Sequence, residues 1–318
     1  MVAFVVFGNA ILTPFDATDR APRLEVSVAR PRVVHLMVNS GAGRRGGPVQ
    51  AGRIVREVLM AGGSDVRMIS GPTRDEVVQL ARTALAGGSD ALVACGGDGT
   101  VSTALEILSG TAVPLGVVAA GSGNDFARSL GLPRHDPAAA AQIVLAGRLR
   151  DVDLGLAGDR RFATIMTSGF DSKVNKRFDR LRWAERRTGY LAAILAELAT
   201  LRSSPFTTGS EVRHRNAVLV AVGNGKSYGN GVHMCPDAAV DDGLLDVTVV
   251  DDIPRRSLLR LLPSAYPGRH VRHPKVTTFR ASDITIDAPG VTAYADGELI
   301  GPLPLTVSAL PGAVQVFV

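Results

Sequence analysis

The first half of the chain alternates short apolar runs with amphipathic stretches. The run RVVHLMVNS ends in polar residues, and the stretch PVQAGRIVREVLMAGG that follows it places apolar residues three or four apart. Runs of the first kind predict strands at 32–40, 65–70, 91–97 and 114–122, and stretches of the second kind predict helices at 48–63, 73–88, 99–110 and from 123. Strands that alternate with helices predict a parallel sheet, whose ligands bind beyond the carboxyl ends of its strands.

The pattern changes near residue 150. Short apolar runs separated by Gly, Pro and Asp predict strands within 150–170, 216–225, 244–252, 283–289, 292–298 and 312–318, with one helical stretch at 187–206. Such runs are typical of an antiparallel β-sandwich or a barrel-like domain. We therefore predict an α/β fold class with three segments: a poorly ordered leader at 1–30, an open parallel-sheet α/β domain at 31–150, and an antiparallel β-sandwich domain at 151–318.

Composition narrows the class of protein. The 318 residues are 46% apolar and 20% charged, which fits a globular chain of about two domains. The net charge of +5 favours an anionic partner such as a nucleotide, a nucleic acid or an anionic membrane. The same surplus could reflect genome composition, because arginine supplies nearly all of it. No nucleic-acid recognition motif accompanies the charge, so we expect no nucleic-acid partner.

Neither cysteines nor targeting signals point to secretion. The two cysteines follow no metal-ligand spacing, and the N-terminus lacks the basic start of a signal peptide. No apolar segment is long enough to span a bilayer. We expect a cytoplasmic protein.

Glycine-rich turns follow three of the predicted strands. GGDGT (96–100), GSGNDFAR (121–128) and NSGAGRRGG (39–47) each come after an apolar run. A single such turn could simply end a strand. Glycines also let backbone N–H groups approach an anion at a helix N-terminus. Three turns at successive strand ends favour a bound nucleotide triphosphate, although GSGNDFAR matches neither a Walker A loop nor a dinucleotide fingerprint.

Carboxylates lie in glycine-flanked turns of both predicted domains: Asp98, Asp125, Asp296 and Glu298. Phosphoryl transfer uses a metal on the phosphates and a carboxylate that takes or orients the acceptor proton. An alternative for Asp296–Gly297 is a plain two-residue hairpin turn, of which Asp-Gly is a frequent signal.

Together these motifs resemble the diacylglycerol kinase catalytic-domain family, the bacterial soluble lipid kinases related to sphingosine and ceramide kinases. The resemblance covers residues 32–318. Its signatures, in the order of the family, are GGDGT (96–100), GSGNDFAR (121–128), GFDSKV (169–174), VGNGKSYGNG (222–231), PDAAVDDGLLDV (236–247), HPKV (273–276) and ADGE (295–298). One departure is Ser40 after Asn39, where the family usually has proline.

The resemblance implies ATP and Mg²⁺ as cofactors and assigns residues to them. Nucleotide contacts are expected at Asn39, Thr73, Gly97, Asp98, Gly99, Thr100, Gly121, Ser122, Asn124 and Glu298. Asp98 is expected to be essential where phosphate meets acceptor, and Asp296 to be the general base. Asp125 is expected at the catalytic Mg²⁺, and Asp242 at a structural Mg²⁺ completed by nearby carbonyls.

The sequence defines the acceptor of the phosphoryl group less well than it defines the nucleotide site. The basic and aromatic stretch at 173–187 could lie on an anionic bilayer or be a solvated helix face, and 190–201 could line an acyl pocket or be core. We expect an ATP- and Mg²⁺-dependent kinase of diacylglycerol, peripherally associated with the inner face of the cell membrane. The alternatives are a sphingoid or other lipid acceptor, NAD, or a non-catalytic nucleotide sensor at the membrane. A homodimer is expected by analogy with the family.

Overall fold

The computed structural model describes residues 25–39, 47–170, 203–208 and 213–318. Contacts divide the described residues into two units. We call residues 25–154, 240–242 and 310–318 the α/β unit, and the remaining described residues the β-sandwich unit. The division differs from the single predicted boundary near 150, because residues 240–242 and the last nine residues join the α/β unit.

The α/β unit follows the predicted order of strands and helices. Its elements are β1 (Glu25–Ser27), β2 (Val33–Val38), α1 (Gly47–Ala61), β3 (Asp65–Ile69), α2 (Arg74–Ala86), β4 (Ala91–Gly96), α3 (Asp98–Leu108), β5 (Leu115–Ala119), α4 (Asp125–Ser129), α5 (Pro137–Ala146) and the first part of β6 (Arg148–Ala157). The parallel strands are ordered β3-β2-β4-β5. The strand β1 lies within the predicted leader and pairs antiparallel with β6, whereas residues 1–24 lie outside the described residues.

Alternating side chains give this sheet its core. Val34, Leu36 and Val38 are buried in one cluster with Val55 and Leu59 of α1. Successive residues of a strand point to opposite faces, so a run that is buried at every position must be covered on both sides. The helices α1 and α5 pack together, while α2 and α3 pack together and contact the strands β2, β4 and β5.

The chain returns to the α/β unit at its end. The strand β16 (Leu305–Phe317) reaches β5 with its last residues, where Val316 pairs in parallel with Leu115. Gly312 N donates to Asp153 Oδ1 at 2.8 Å, and Val318 N donates to Arg148 O at 2.9 Å. These contacts explain why residues 310–318 belong to this unit.

The β-sandwich unit is built from antiparallel pairs. After β6 its elements are β7 (Arg160–Phe162), β8 (Ile165–Gly169), β9 (Ser204–Thr208), β10 (Arg213–Gly223), β11 (Leu245–Asp251), α6 (Arg255–Ala265), a 3-10 helix (Arg269–Arg272), β12 (Val276–Ala281), β13 (Asp283–Asp287), β14 (Thr292–Ala295), β15 (Glu298–Pro302) and the start of β16. The strand β10 pairs with β8, β9 and β11. The predicted fold class, a parallel α/β sheet plus an antiparallel sandwich, is confirmed.

The alternation along β10 separates two apolar clusters. Val220 and Val222 belong to the cluster that contains Phe206, whereas Ala221 belongs to the cluster that contains Leu258 of α6. The sequence analysis assigned no element to α6. Pro263 within the helix interrupts the helical pattern, and packing against the sheet offsets the cost of that proline.

No helix among the described residues is long and apolar enough to cross a membrane.

Candidate active site

Two glycine loops of the α/β unit touch each other through their backbones. One joins β4 to α3, the other joins β5 to α4, and Ala120 N donates to Gly96 O at 2.8 Å. A Cβ placed on Gly121 would lie only 2.4 Å from Gly97 Cα. Backbone atoms cannot move aside as a flexible side chain can. Glycine at 121 is therefore needed for this close approach.

Replacing Gly121 with alanine should destabilise the α/β unit. The added methyl group overlaps backbone, and overpacking of this kind typically costs about 1–3 kcal/mol in the free energy of unfolding. Gly99→Ala is the matched control, because a Cβ at Gly99 meets nothing within 4 Å and alanine favours the helix α3. The measurement is the denaturant midpoint of both variants. Equal midpoints would show that the two loops separate without cost.

Asp98 joins the same two loops through its side chain. Its Oδ1 accepts from Asp125 N at 2.7 Å and from Phe126 N at 3.3 Å, across 27 residues of sequence. These N–H groups open the short helix α4, and such groups have no partner within their own helix. Asp98 thus caps the helix of the neighbouring loop, while no side chain of the described residues caps its own helix α3.

Asn124 closes the second loop. Its backbone is left-handed, with φ of 54°, and its side chain is buried. The Oδ1 atom accepts from Gly121 N at 3.0 Å and Nδ2 donates to Gly121 O at 2.9 Å. Asparagine tolerates this backbone better than most residues. Its expected contact with nucleotide stays a prediction, but the structure shows that it fixes the loop's shape.

Asp125 is a candidate metal ligand at this loop. Its side chain is nearly buried, and Arg128 Nε lies 3.6 Å from its Oδ1. The described residues hold no group of three or more His, Cys, Asp or Glu placed to bind a metal. Mg²⁺ in phosphoryl-transfer sites usually takes one or two carboxylates and fills its shell with phosphate oxygens and water. Asp125 fits that donor set.

Three further predicted nucleotide contacts are Asn39, Thr73 and Ser122. Asn39 follows β2, and its Nδ2 lies 3.4 Å from Thr100 Oγ1 in α3. Thr73 caps α2 by accepting from Glu76 N at 3.3 Å. Ser122 is exposed at the tip of the second loop. The glycine-rich turn at 40–46, like the basic stretch at 173–187 and the apolar stretch at 190–201, lies outside the described residues.

Asp296 and Glu298 belong to the β-sandwich unit. Asp296 and Gly297 form the two-residue turn between β14 and β15, with φ of 49° and 83°. These angles fit a type I′ hairpin. The predicted two-residue hairpin turn is therefore confirmed. The Asp296 side chain in addition accepts hydrogen bonds from residues outside the hairpin. Its Oδ2 accepts from Ala163 N at 2.6 Å, and its Oδ1 accepts from both N and Oγ1 of Thr164, at 2.9 and 2.5 Å.

The surroundings of Asp296 raise its pKa. Burial raises the pKa because it penalises the charged carboxylate, and the hydrogen bonds from Thr164 and Ala163 oppose the rise. A carboxylate offers about four acceptor positions, and three are used in these contacts. One position on Oδ2 remains beside the bond from Ala163. The group can therefore accept a proton while staying fixed.

Asn224 fixes the backbone of Ala163 and Thr164, the two residues that donate hydrogen bonds to Asp296. Its Nδ2 donates to Ala163 O at 3.0 Å, and its N and that of Gly225 donate to Thr164 O, each at 2.9 Å. Asn224 lies in VGNGKSYGNG, a motif to which the sequence analysis gave no role. Its full burial could not be read from the motif.

Glu298 is ion-paired with Arg160, a partner that sequence reasoning missed. Arg160 also donates to Leu299 O at 3.4 Å. Asp242 lies in the turn before β11, where Gly243 has φ of 71°. The nucleotide role of Glu298 and the metal role of Asp242 stay predictions.

Comparisons with known proteins show the family of this chain. The model of the diacylglycerol kinase catalytic domain matches residues 33–157, and that of the YegS C-terminal NAD kinase beta sandwich-like domain matches residues 164–318. A "Diacylglycerol kinase" of Mycobacterium tuberculosis is 44% identical over 80% of this chain and 85% of its own length. A "Probable lipid kinase YegS" of Salmonella dublin is 30% identical over 72% and 78%.

Solved structures share the fold. A diacylglycerol kinase from Bacillus anthracis superposes with a TM-score of 0.70 at 22% identity, covering 91% of this chain and 98% of its own. An NAD kinase from Archaeoglobus fulgidus in complex with ATP gives a TM-score of 0.50 at 15% identity. At these identities the likeness concerns the fold alone.

Proposed function

The chain belongs to the diacylglycerol kinase family of lipid kinases, and on that premise we propose that it transfers the γ-phosphoryl group of ATP to the hydroxyl of diacylglycerol, giving phosphatidic acid. The observation that carries the proposal is Asp98, whose carboxylate joins two glycine loops at the carboxyl ends of neighbouring parallel strands. Ligands of parallel sheets bind at that edge. The relatives, a diacylglycerol kinase and a probable lipid kinase, support a lipid as the acceptor.

The proposed reaction needs groups that hold the phosphates and a group that takes the acceptor proton. Backbone N–H groups of the loops at Gly97 and Gly121 hold the phosphates. Mg²⁺, held by Asp125 and phosphate oxygens, would neutralise phosphate charge when bound. The bond from the acceptor oxygen to phosphorus forms, the bond from phosphorus to the leaving ADP oxygen breaks, and Asp296 takes the hydroxyl proton.

The raised pKa of Asp296 suits a general base. A base works best when its pKa lies near the working pH, since a strongly acidic carboxylate has little affinity for the proton. Burial supplies the rise, and the hydrogen bonds from Ala163 and Thr164 fix the carboxylate's orientation. Activity should therefore rise with pH through the pKa of Asp296.

Replacing Thr164 with valine should move that rise to higher pH. The Thr164 hydroxyl donates to Asp296 and favours the charged carboxylate, so its loss raises the pKa of Asp296 further. Thr164→Ser keeps a hydroxyl and should restore the profile. The measurement is kcat against pH for all three proteins. An unmoved acid limb in Thr164→Val, with Asp296→Asn inactive, would mean that the hydroxyl does not tune the base.

The acceptor is tested directly with purified protein, labelled ATP and Mg²⁺. Diacylglycerol, sphingosine, ceramide and NAD are offered in parallel, with Asp98→Ala as the inactive control. Phosphatidic acid made only by the unmutated protein supports the proposal. Label on a sphingoid lipid or on NAD would change the acceptor, and ATP binding without product would favour the nucleotide sensor.

A diacylglycerol acceptor also sets a location. Because such a lipid lies in a bilayer, we propose that the protein associates peripherally with the inner face of the cell membrane. The basic net charge supports an anionic surface as its partner.

A further inference from the structure

We propose that α6 and the segment after it bind an anionic bilayer directly. We call this surface the docking face: Arg255, Arg256, Leu259, Arg260, Pro263, Tyr266, Arg269, Arg272 and Lys275. The proposal rests on the proposed function, because a lipid acceptor is what would bring this chain to a membrane. The sequence predicts membrane contact only at 173–187, which lies outside the described residues.

The helix α6 has two apolar faces rather than one. Leu258, Leu261 and Ala265 are buried against the sandwich. Leu259 and Tyr266 are 50% and 58% exposed, and with the exposed Pro263 they follow the spacing of one helix face. The buried face already supplies the packing that holds the helix. The exposed face is therefore not explained by folding.

The charge around this ridge has a single sign. Residues 253–281 contain seven Lys or Arg and no Asp or Glu. Arg280 is partly buried beside Asp246, at 3.6 Å. The other six are exposed, and among the described parts of the chain none of them forms an ion pair with a carboxylate. The flanking acids are Asp251 and Asp252 before the helix and Asp283 after the stretch.

Apolar side chains between cations fit a membrane better than another polyanion. An interfacial helix buries its apolar residues at the boundary of headgroups and acyl chains while lysine and arginine meet anionic lipids. Nucleic acid would use the cations but gives the exposed leucine and tyrosine no apolar partner. The docking face supplies both cations and apolar side chains, so its binding to vesicles should depend on both charge and apolar area.

The test is sedimentation with vesicles of phosphatidylglycerol and phosphatidylcholine, without ATP or diacylglycerol. The unmutated protein should bind these vesicles and bind phosphatidylcholine alone far more weakly. Arg256→Glu with Arg260→Glu, and separately Leu259→Ser with Tyr266→Ser, should each weaken binding by about tenfold or more. Thermal melting confirms that the variants fold.

Matched controls come from the α/β unit. Arg56→Glu with Arg82→Glu reverses two exposed arginines that lack ion pairs among the described residues, and Leu80→Ser removes a leucine that is 44% exposed. These controls should bind like the unmutated protein. Equal losses in controls and docking-face variants would overturn the proposal, as would binding to duplex DNA that the arginines support and Leu259 does not.

The outcome separates this inference from the kinase proposal. If the protein phosphorylates a lipid but its vesicle binding does not depend on the docking face, the inference is overturned and the proposed function is unaffected. Binding that depends on the docking face, in a protein that phosphorylates no lipid, would overturn the function and support the inference.

Discussion

Asp98→Ala should abolish phosphoryl transfer, with kcat/KM falling by about 10³-fold. The substitution removes a carboxylate and both hydrogen bonds that Oδ1 accepts from Asp125 N and Phe126 N. The loop that carries Asp125 then loses its side-chain attachment to the first loop and keeps the backbone bond from Ala120 N to Gly96 O. The measurement is steady-state kinetics with labelled ATP, together with ATP binding by calorimetry.

Asp98→Asn separates charge from attachment. Asparagine keeps an Oδ1 that can accept from Asp125 N and Phe126 N, but it carries no negative charge. If charge is essential, Asp98→Asn is as inactive as Asp98→Ala, although it unfolds at a higher denaturant concentration. If attachment is the whole role, the asparagine variant keeps most activity. Full activity in Asp98→Ala would remove Asp98 from the site.

Asp296→Asn should lower kcat by about 10²- to 10⁴-fold, the usual contribution of a general base. Affinity for ATP should change little, because this substitution touches the proton acceptor and leaves both phosphate loops intact. The measurements are kcat with diacylglycerol and calorimetric ATP binding. Asp287→Asn is the matched control, since this carboxylate is exposed on β13 of the same unit.

Asp296→Asn should also change how stability depends on pH. The folded-state pKa of Asp296 is raised, so folded protein binds the proton more tightly than unfolded protein. Proton binding at Asp296 therefore adds to the free energy of unfolding at pH values below the ordinary carboxyl pKa. This stabilisation is lost as pH rises through the raised pKa of the folded protein. The asparagine variant has no carboxyl group to titrate, so it lacks this pH-dependent loss of stability. Its Nδ2 faces the N–H donor of Ala163, which lowers the free energy of unfolding by about 1–3 kcal/mol. Parallel stability–pH curves for the two proteins would mean that the folded and unfolded pKa values are alike.

Several features were predictable because they are local. The alternation of apolar runs and amphipathic stretches predicted the parallel sheet, and the glycine turns marked the carboxyl ends of β4 and β5. Asp-Gly predicted the hairpin at 296–297, which the structure confirms. The helix α6 was not predicted because Pro263 disturbs its pattern and the sheet beneath it supplies its stability.

The sequence by itself determined the fold class, the family and the motifs. Strand and helix periods, and the freedom of glycine, act over a few residues and can be read in order. Only the tertiary structure decided what those motifs contact. Asp98 meets Asp125 across 27 residues, Asp296 meets Thr164 across 132, and the last strand returns to β5. Hydrogen bonds of this kind depend on where distant segments pack, because no local pattern encodes which carboxylate faces which backbone N–H.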